Sequence, residues 1–311
     1  MQSRILDVDG SLLQQDGLME RHPAVVAARD WGPRLRMACT FRQFRRFESA
    51  LESRLEKELP DQPAVTLYGS GDFHHISLAL IRRLRTPFNL LVFDKHPDWM
   101  RGLPFLHCGT WLYHAARLPL LQRVFHVGGE LDFDNGFRWL APWDMLRAGK
   151  ITVIPAERRF RRWPWKNIVN EPLRTTAAPV NRARIEELLR PFQDALARWP
   201  LYISIDKDVL GAMEAVVNWD SGLLTLAELI GALEAFTRAA GGKLVGVDIT
   251  GDWSAVEVHG WFRRALHAIE HAAMTVDPCD AARRNERTNL ALLDCIGAVS
   301  RRSQPAQQLS V

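Results

Sequence analysis

Apolar residues cluster along this chain in short unbroken runs separated by stretches with helical spacing. The runs at 64–68 (AVTLY), 89–93 (NLLVF), 123–127 (RVFHV), 151–154 (ITVI), 201–205 (LYISI) and 243–249 (KLVGVDI) lack polar alternation. That pattern predicts strands covered on both faces. Between them, 76–84, 110–118 and 225–240 place apolar residues on one side of a helix, with Thr225 as N-cap and Glu228 three residues on as its capping-box partner. The span 182–199 is helical with Pro191 inside, which predicts a kink or two pieces. The segment around 136–149 reads as helical at its ends, and 255–276 as one helix or two.

Strand–helix alternation over most of the chain predicts an α/β protein: three α/β/α layers around a mostly parallel central sheet, as one domain over 1–300 with a polar tail at 301–311. In such sheets ligands collect at the carboxyl ends of the strands. The connection 155–181 shows no period and is rich in Arg, Trp and Pro, notably at Arg161–Trp165. Connections of that length are more often functional than idle.

Composition narrows the class. The chain has 311 residues, 47% of them hydrophobic and 24% charged, with a net charge of +4. This is the balance of a globular protein, with no footprint for nucleic acid. The four cysteines are scattered without a CxxC pair, which suits reduced thiols. No run approaches the ~20 apolar residues of a membrane span. A cytoplasmic protein without membrane or nucleic-acid partners is expected.

The chemistry sits at three strand ends. After 64–68 comes Gly69-Ser70-Gly71-Asp72-Phe73-His74-His75; after 89–93 comes Asp94-Lys95-His96-Pro97-Asp98; after 201–205 comes Asp206-Lys207-Asp208. Parallel neighbours bring these ends together. Four carboxylates cannot share a dry cleft without cations, because each unpaired buried charge costs several kcal/mol. Imidazole and carboxylate donors without thiolate suit Mn²⁺ or another first-row divalent ion. Six ligands exceed what one catalytic ion with an open position needs, and suit two ions with shared carboxylates. Taken singly, each motif also reads as a capped turn or a solvated loop, with Lys207 neutralising its two neighbours.

Together, Gly-x-Gly-Asp…His, Asp94-x-His96-x-Asp98 and Ser204-x-Asp206-x-Asp208 resemble the arginase and agmatinase (ureohydrolase) family. His107-Cys108-Gly109-Thr110, the stretch around Asp132 and Asp134, and the Thr225 helix start are similar to further segments of that family, over roughly 64–255. The resemblance implies two Mn²⁺ ions per chain. One is held by His74, Asp94, Asp98 and Asp206, the other by Asp94, His96, Asp206 and Asp208, with His75 as the alternative to His74. It implies hydrolysis of a guanidino C–N bond with release of urea, arginine giving ornithine. Asp98, His107 and Asp252 form the expected catalytic set, with His107 as proton shuttle. Asp132, Asp134, Asp248 and Asp252 are the expected substrate carboxylates. The pattern departs from the family at Phe73-His74-His75, at Lys95 and Lys207, and at Gly251, where the family carries a guanidinium-binding Glu. It looks like an atypical branch, some members of which act on arginine side chains within peptides. The family's common trimers and hexamers leave a homo-oligomer open.

Three other readings stand beside this one. The start, Asp7-Val8-Asp9-Gly10-Ser11, looks like the aspartyl-phosphate motif of haloacid-dehalogenase-like phosphatases, but reads better as a first strand and its turn. A deacetylase-like amidohydrolase with one Zn²⁺ shares a similar sheet and an Asp-x-His motif. A catalytically degenerate protein that keeps metal and serves only to bind is the third.

Overall fold

The computed structural model describes residues 1–58, 63–102, 104–128, 136–156, 172–174, 180, 182–256 and 275–302. Its centre is an eight-stranded sheet: β1 (Gln2–Asp7), β2 (Ala24–Ala27), β4 (Ala64–Leu67), β5 (Phe88–Asp94), β7 (Leu121–Gly128), β8 (Ile151–Ile154), β9 (Leu201–Asp206) and β10 (Leu244–Thr250). The spatial order is β2-β1-β4-β10-β9-β5-β7-β8, and every neighbouring pair is parallel. Two short strands, β3 (Ala38–Cys39) and β6 (Leu106–His107), pair antiparallel outside it, with Ala38 opposite His107.

The alternation of side chains along each strand divides the interior into two cores. On β5, Leu91 and Phe93 face one side, where Ile203 and Ile205 of β9 join residues from the helices Leu226–Ala239 and Pro278–Arg302. Leu90 and Val92 face the other, with Phe44, Phe47 and Leu51 of the helix Phe41–Glu58 and Trp111 of the helix Trp111–Ala115. This is the expected α/β/α arrangement. Every residue of β5 and β9 is buried, which explains why both read as continuous apolar runs.

Other expectations meet the structure element by element. The span 182–199 breaks at Pro191 into the helix Arg182–Leu189, a 3₁₀ turn Arg190–Phe192 and the helix Gln193–Arg198. Thr225 and Glu228 form the capping box in full. The helix Pro278–Arg302 carries regular structure into the tail expected from residue 301. Most of 255–276 and the Arg161–Trp165 stretch lie outside the described residues. No helix among the described residues is long and apolar enough to cross a membrane.

The topology places the site. From β5 the chain runs outward to β7, whereas from β9 it returns the other way to β10. The β5/β9 seam is therefore a switch point, where the connections diverge and leave a crevice at the carboxyl ends. Register pairs Phe93 with Ile205, so the next residues, Asp94 and Asp206, stand side by side at its mouth.

Candidate metal centre

Beyond β4 the chain turns through Gly69 and Ser70 into a 3₁₀ turn, Gly71–Phe73, which Ser70 caps by accepting from Asp72 N. The turn delivers His74 under the ends of β5 and β9. Its Nε2 lies 3.0 Å from Ser204 Oγ, which donates to Asp248 Oδ1 at 2.7 Å. Its Nδ1 faces three carboxylates: Asp98 Oδ2 at 2.9 Å, Asp94 Oδ2 at 3.0 Å and Asp206 Oδ2 at 3.5 Å. Anchoring one ring nitrogen in this way orients the other toward a shared centre. Trp111 supports the arrangement, with its ring 4.9 Å from that of His74 and its Nε1 donating to Asp98 Oδ2 at 2.7 Å. Asp98 takes a positive φ of 44°, an uncommon conformation that this packing holds in place.

A second group adjoins the first. His96 Nδ1 lies 2.6 Å from Asp208 Oδ2 and 3.8 Å from Asp94 Oδ1. Asp94 Oδ1 also accepts from His96 N, and Asp208 Oδ1 from Lys95 N. Two sets of potential ligands emerge, His74/Asp94/Asp98 and Asp94/His96/Asp208, with Asp94 common to both and Asp206 beside it.

The donors fit divalent cations. Asp94, Asp98, Asp206 and Asp208 are all buried within one cluster. Burial and mutual repulsion push the Asp94 and Asp208 carboxyls above the usual range and that of Asp206 well above it. Burial alone would depress His96, but Asp208 and Asp94 outweigh it and raise the imidazole to about 10. His74 Nδ1 and Asp94 Oδ2 face each other at 3.0 Å, yet neither makes a hydrogen bond of acceptable geometry. Atoms that converge without bonding suit a cation between them, and the oxygen and imidazole set suits a first-row divalent ion.

A cavity of about 470 Å³ opens above the cluster. Pro97, Met100, Cys108 and Trp219 give it apolar walls, and His107 and Asp220 add polar groups. His107 is buried on β6, with Nδ1 accepting from Gly109 N at 3.0 Å. A neutral imidazole held this way carries its proton on Nε2. Asp220 stands at the mouth, 73% exposed and 2.7 Å from Lys95 Nζ. Trp219 packs edge-on to His96 and donates to Asp72, which also pairs with Arg36.

Three expectations are corrected by these positions. His75, the alternative ligand, does not join the cluster: it is buried beside Phe44, with ring centroids 6.2 Å apart. Asp248, expected to bind substrate, lies beneath the site in mid-strand and accepts from Tyr68, Ser77, Ser204 and Tyr202. Asp252, expected to bind substrate and act in catalysis, is absent from the cavity lining. Its carboxylate is held by Lys207 at 2.8 Å and by Gln15 at 2.7 Å. Asp132 and Asp134 lie outside the described residues. Near the start, Asp7 is gripped twice by Arg29 and Asp9 accepts from Ser11 and Ser70 N, as a strand end and turn require. Ser204, in the Ser204-x-Asp206-x-Asp208 motif, and Trp111, in the helical span 110–118, are brought against His74 only by the fold.

No family model matches the chain. A Thermotoga maritima protein of uncharacterised function is 29% identical over 203 residues, which is 65% of this chain and 64% of that protein, so the match spans less than two thirds of the relative. Among solved structures, the arginase of Entamoeba histolytica in complex with L-ornithine superposes with a TM-score of 0.56 at 13% identity, over 95% of this chain and 98% of that one. A hypothetical agmatinase from Burkholderia thailandensis gives 0.53 at 15% identity, over 97% and 87%. At such identities the likeness speaks for architecture, and this chain has the arginase-like α/β fold.

Proposed function

We propose that this chain is a ureohydrolase-like hydrolase that holds two divalent cations, Mn²⁺ by the hardness of its donors, and cleaves a guanidino C–N bond. The observation that carries the reading is the pair of His/Asp groups sharing Asp94 at the β5/β9 crevice. His74, Asp94, Asp98 and Asp206 would hold one ion, and Asp94, His96, Asp206 and Asp208 the other. Bound there, such cations supply Lewis-acid chemistry, lowering the pKa of a water and polarising the group it attacks.

The chain's own residues do the rest. The apolar walls at Pro97, Met100 and Trp219 exclude water and pack the methylene chain of an arginine-like substrate. Asp220 is the carboxylate in the described lining that lies outside the cluster, and it faces a cationic group entering at the mouth. His107, at the cavity wall, would protonate the departing nitrogen from its imidazolium form, in which Nδ1 gives up its contact with Gly109 N, and return to neutral imidazole. The nitrogen leaves as the amine of ornithine while urea carries the guanidino carbon.

Two ligand groups favour this reading over the one-zinc, deacetylase-like alternative. The engagement of Asp248 and Asp252 elsewhere is the observation that favours a second reading, a protein that binds metal without turning over guanidino compounds. The peptide form of the activity has its sequence support in Arg161–Trp165, so a peptide belongs among the substrates tested. A cytoplasmic setting is part of the same proposal. The test is to load the protein with Mn²⁺, count bound metal, and assay urea from arginine, agmatine and an arginine-containing peptide. Two ions with urea from at least one substrate supports the proposal. Two ions with no urea from any of them supports the binding protein, and one tightly held zinc with amide hydrolysis supports the deacetylase-like enzyme.

A further inference from the structure

Lys207 stands between two of the cluster carboxylates, yet its side chain is fully buried and turned away from them. An ammonium taken out of water must find partners or be lost as a charge. Nζ lies 2.8 Å from Asp252 Oδ2 and donates to Asn289 Oδ1 at 2.9 Å. Asp252 Oδ1 accepts from Gln15 Nε2 at 2.7 Å and from Asn289 Nδ2 at 3.2 Å, and Asn289 Nδ2 also donates to Gln15 Oε1 at 2.9 Å. Four side chains thus close a ring. They come from the loop after β1, the turn after β9, the loop after β10 and the helix Pro278–Arg302.

This ring bears on the ligand turn from one side. Because Lys207 points into it, Asp206 and Asp208 are turned the opposite way, and Asp206 Oδ1 secures the turn by accepting from Asp208 N at 3.1 Å. The same helix holds the chain beyond the turn. Asn285 exchanges two hydrogen bonds with the backbone of Val216, and Thr288 donates to Glu214 O. Asn285, Thr288 and Asn289 lie on one helical face, at spacings of three and four residues. The helix therefore grips the ligand-bearing segment before and after its bend.

We propose that the Lys207–Asp252–Gln15–Asn289 ring is a positioning device through which the C-terminal helix sets the affinity of the Asp206/Asp208 turn for divalent cations. The proposal rests on the reading of the cluster as a metal site. Asn289 is a positioning residue: it is absent from the cavity lining and acts through Lys207, Asp252 and Gln15. By linkage, cation binding at the turn must also stabilise the docking of the helix.

The test uses the full chain and Mn²⁺ alone. Asn289→Ala is compared with Leu292→Ala, a core truncation on the same helix that leaves the ring untouched. Mn²⁺ affinity is measured by calorimetric titration at a temperature where both variants are folded. Asn289→Ala should weaken affinity by roughly tenfold or more, the range for residues that orient ligands, whereas Leu292→Ala should lower the melting temperature with affinity near wild type. Amide exchange across 278–302 should slow on adding Mn²⁺ to the wild type and not to Asn289→Ala. Equal affinity losses in the two variants, or none in Asn289→Ala, would overturn the proposal while leaving the metal site intact. A wild-type chain that takes up no Mn²⁺ would overturn both.

Discussion

His96 Nδ1 lies 2.6 Å from Asp208 Oδ2, in a cluster where each carboxylate crowds another. Without cations this is a proton store. Burial works against the His96 charge, but Asp208 overrides it and holds the imidazole near 10; burial with mutual repulsion raises Asp94, Asp206 and Asp208. Groups raised in the folded state stabilise it below their unfolded pKa values, and that stability is lost as pH rises through the folded ones. The metal-free protein should therefore melt lower at pH 8 than at pH 6. A cation requires neutral imidazole and ionised carboxylates, so its binding expels protons. Mn²⁺ affinity should rise with pH by roughly tenfold per unit for each proton released. Titrations in buffers of different ionisation enthalpy count those protons, and a count of zero would contradict the reading of the cluster.

Ligand and proton shuttle are separable by substitution. Asp206→Asn removes a charge beside both groups and should abolish metal binding and activity together, as should Asp94→Asn. His107→Ala removes the proton donor, together with the Nδ1 acceptor of Gly109 N, and leaves the cluster ligands in place. It should lower turnover by about 10²-fold or more, the usual worth of a positioned general acid, with metal content unchanged. Elemental analysis beside a urea assay decides it; full turnover in His107→Ala would remove this residue from the mechanism.

What could be read from the sequence follows from how local each signal is. β5 and β9 were legible because strands buried on both faces leave unbroken apolar runs. β2 was not: its apolar run, Ala24–Ala27, is only four residues long, and only Val26 of it is buried. The helix Phe41–Glu58 carries Phe44, Phe47, Leu51 and Leu55 at helical spacing, a signal that the sequence holds among many charged residues. The candidate ligands were visible because each motif is contiguous at a strand end. The partners of Asp252 were not: Gln15, Lys207 and Asn289 are scattered along the chain, and only the sheet order and the last helix bring them together. Asp248 misled for a related reason. A carboxylate near a strand end suggests a ligand contact, but the four hydroxyl groups that satisfy it are a property of the packed fold.

Gly251 tests how tightly β10 is fitted to the ligand turn. Its φ is +90°, and a Cβ there would meet Asp206 Oδ1 at 2.4 Å and Lys207 N at 2.6 Å. Both conformation and space exclude a side chain at this position. Gly251→Ala should cost about 2–4 kcal/mol of stability, combining backbone strain with overpacking, and should weaken Mn²⁺ binding by displacing Asp206. Urea denaturation with and without Mn²⁺ measures both effects. A wild-type midpoint would mean that the turn can shift without loss and that the close fit has no energetic weight.

Glu228 links a cap to a salt bridge among residues that do not line the cavity. Its carboxylate accepts from Thr225 N and Thr225 Oγ1, completing the capping box, and from Val180 N, and it is gripped twice by Arg174. Burial would raise its pKa, but Arg174 and the backbone donors prevail and lower it to about 2 from an unfolded value of 4.5. For a depressed carboxyl the sign is fixed: the stabilisation is complete above the unfolded pKa and is lost as pH falls from there through about 2. Arg174→Met should flatten the acid limb of the stability profile between about pH 4.5 and 2 and lower stability at pH 7, while Mn²⁺ affinity stays at the wild-type value. Denaturant midpoints across that range are the measurement. An acid limb unchanged in Arg174→Met would assign the low pKa to the cap alone, and Thr225→Ala would then be the variant that moves it.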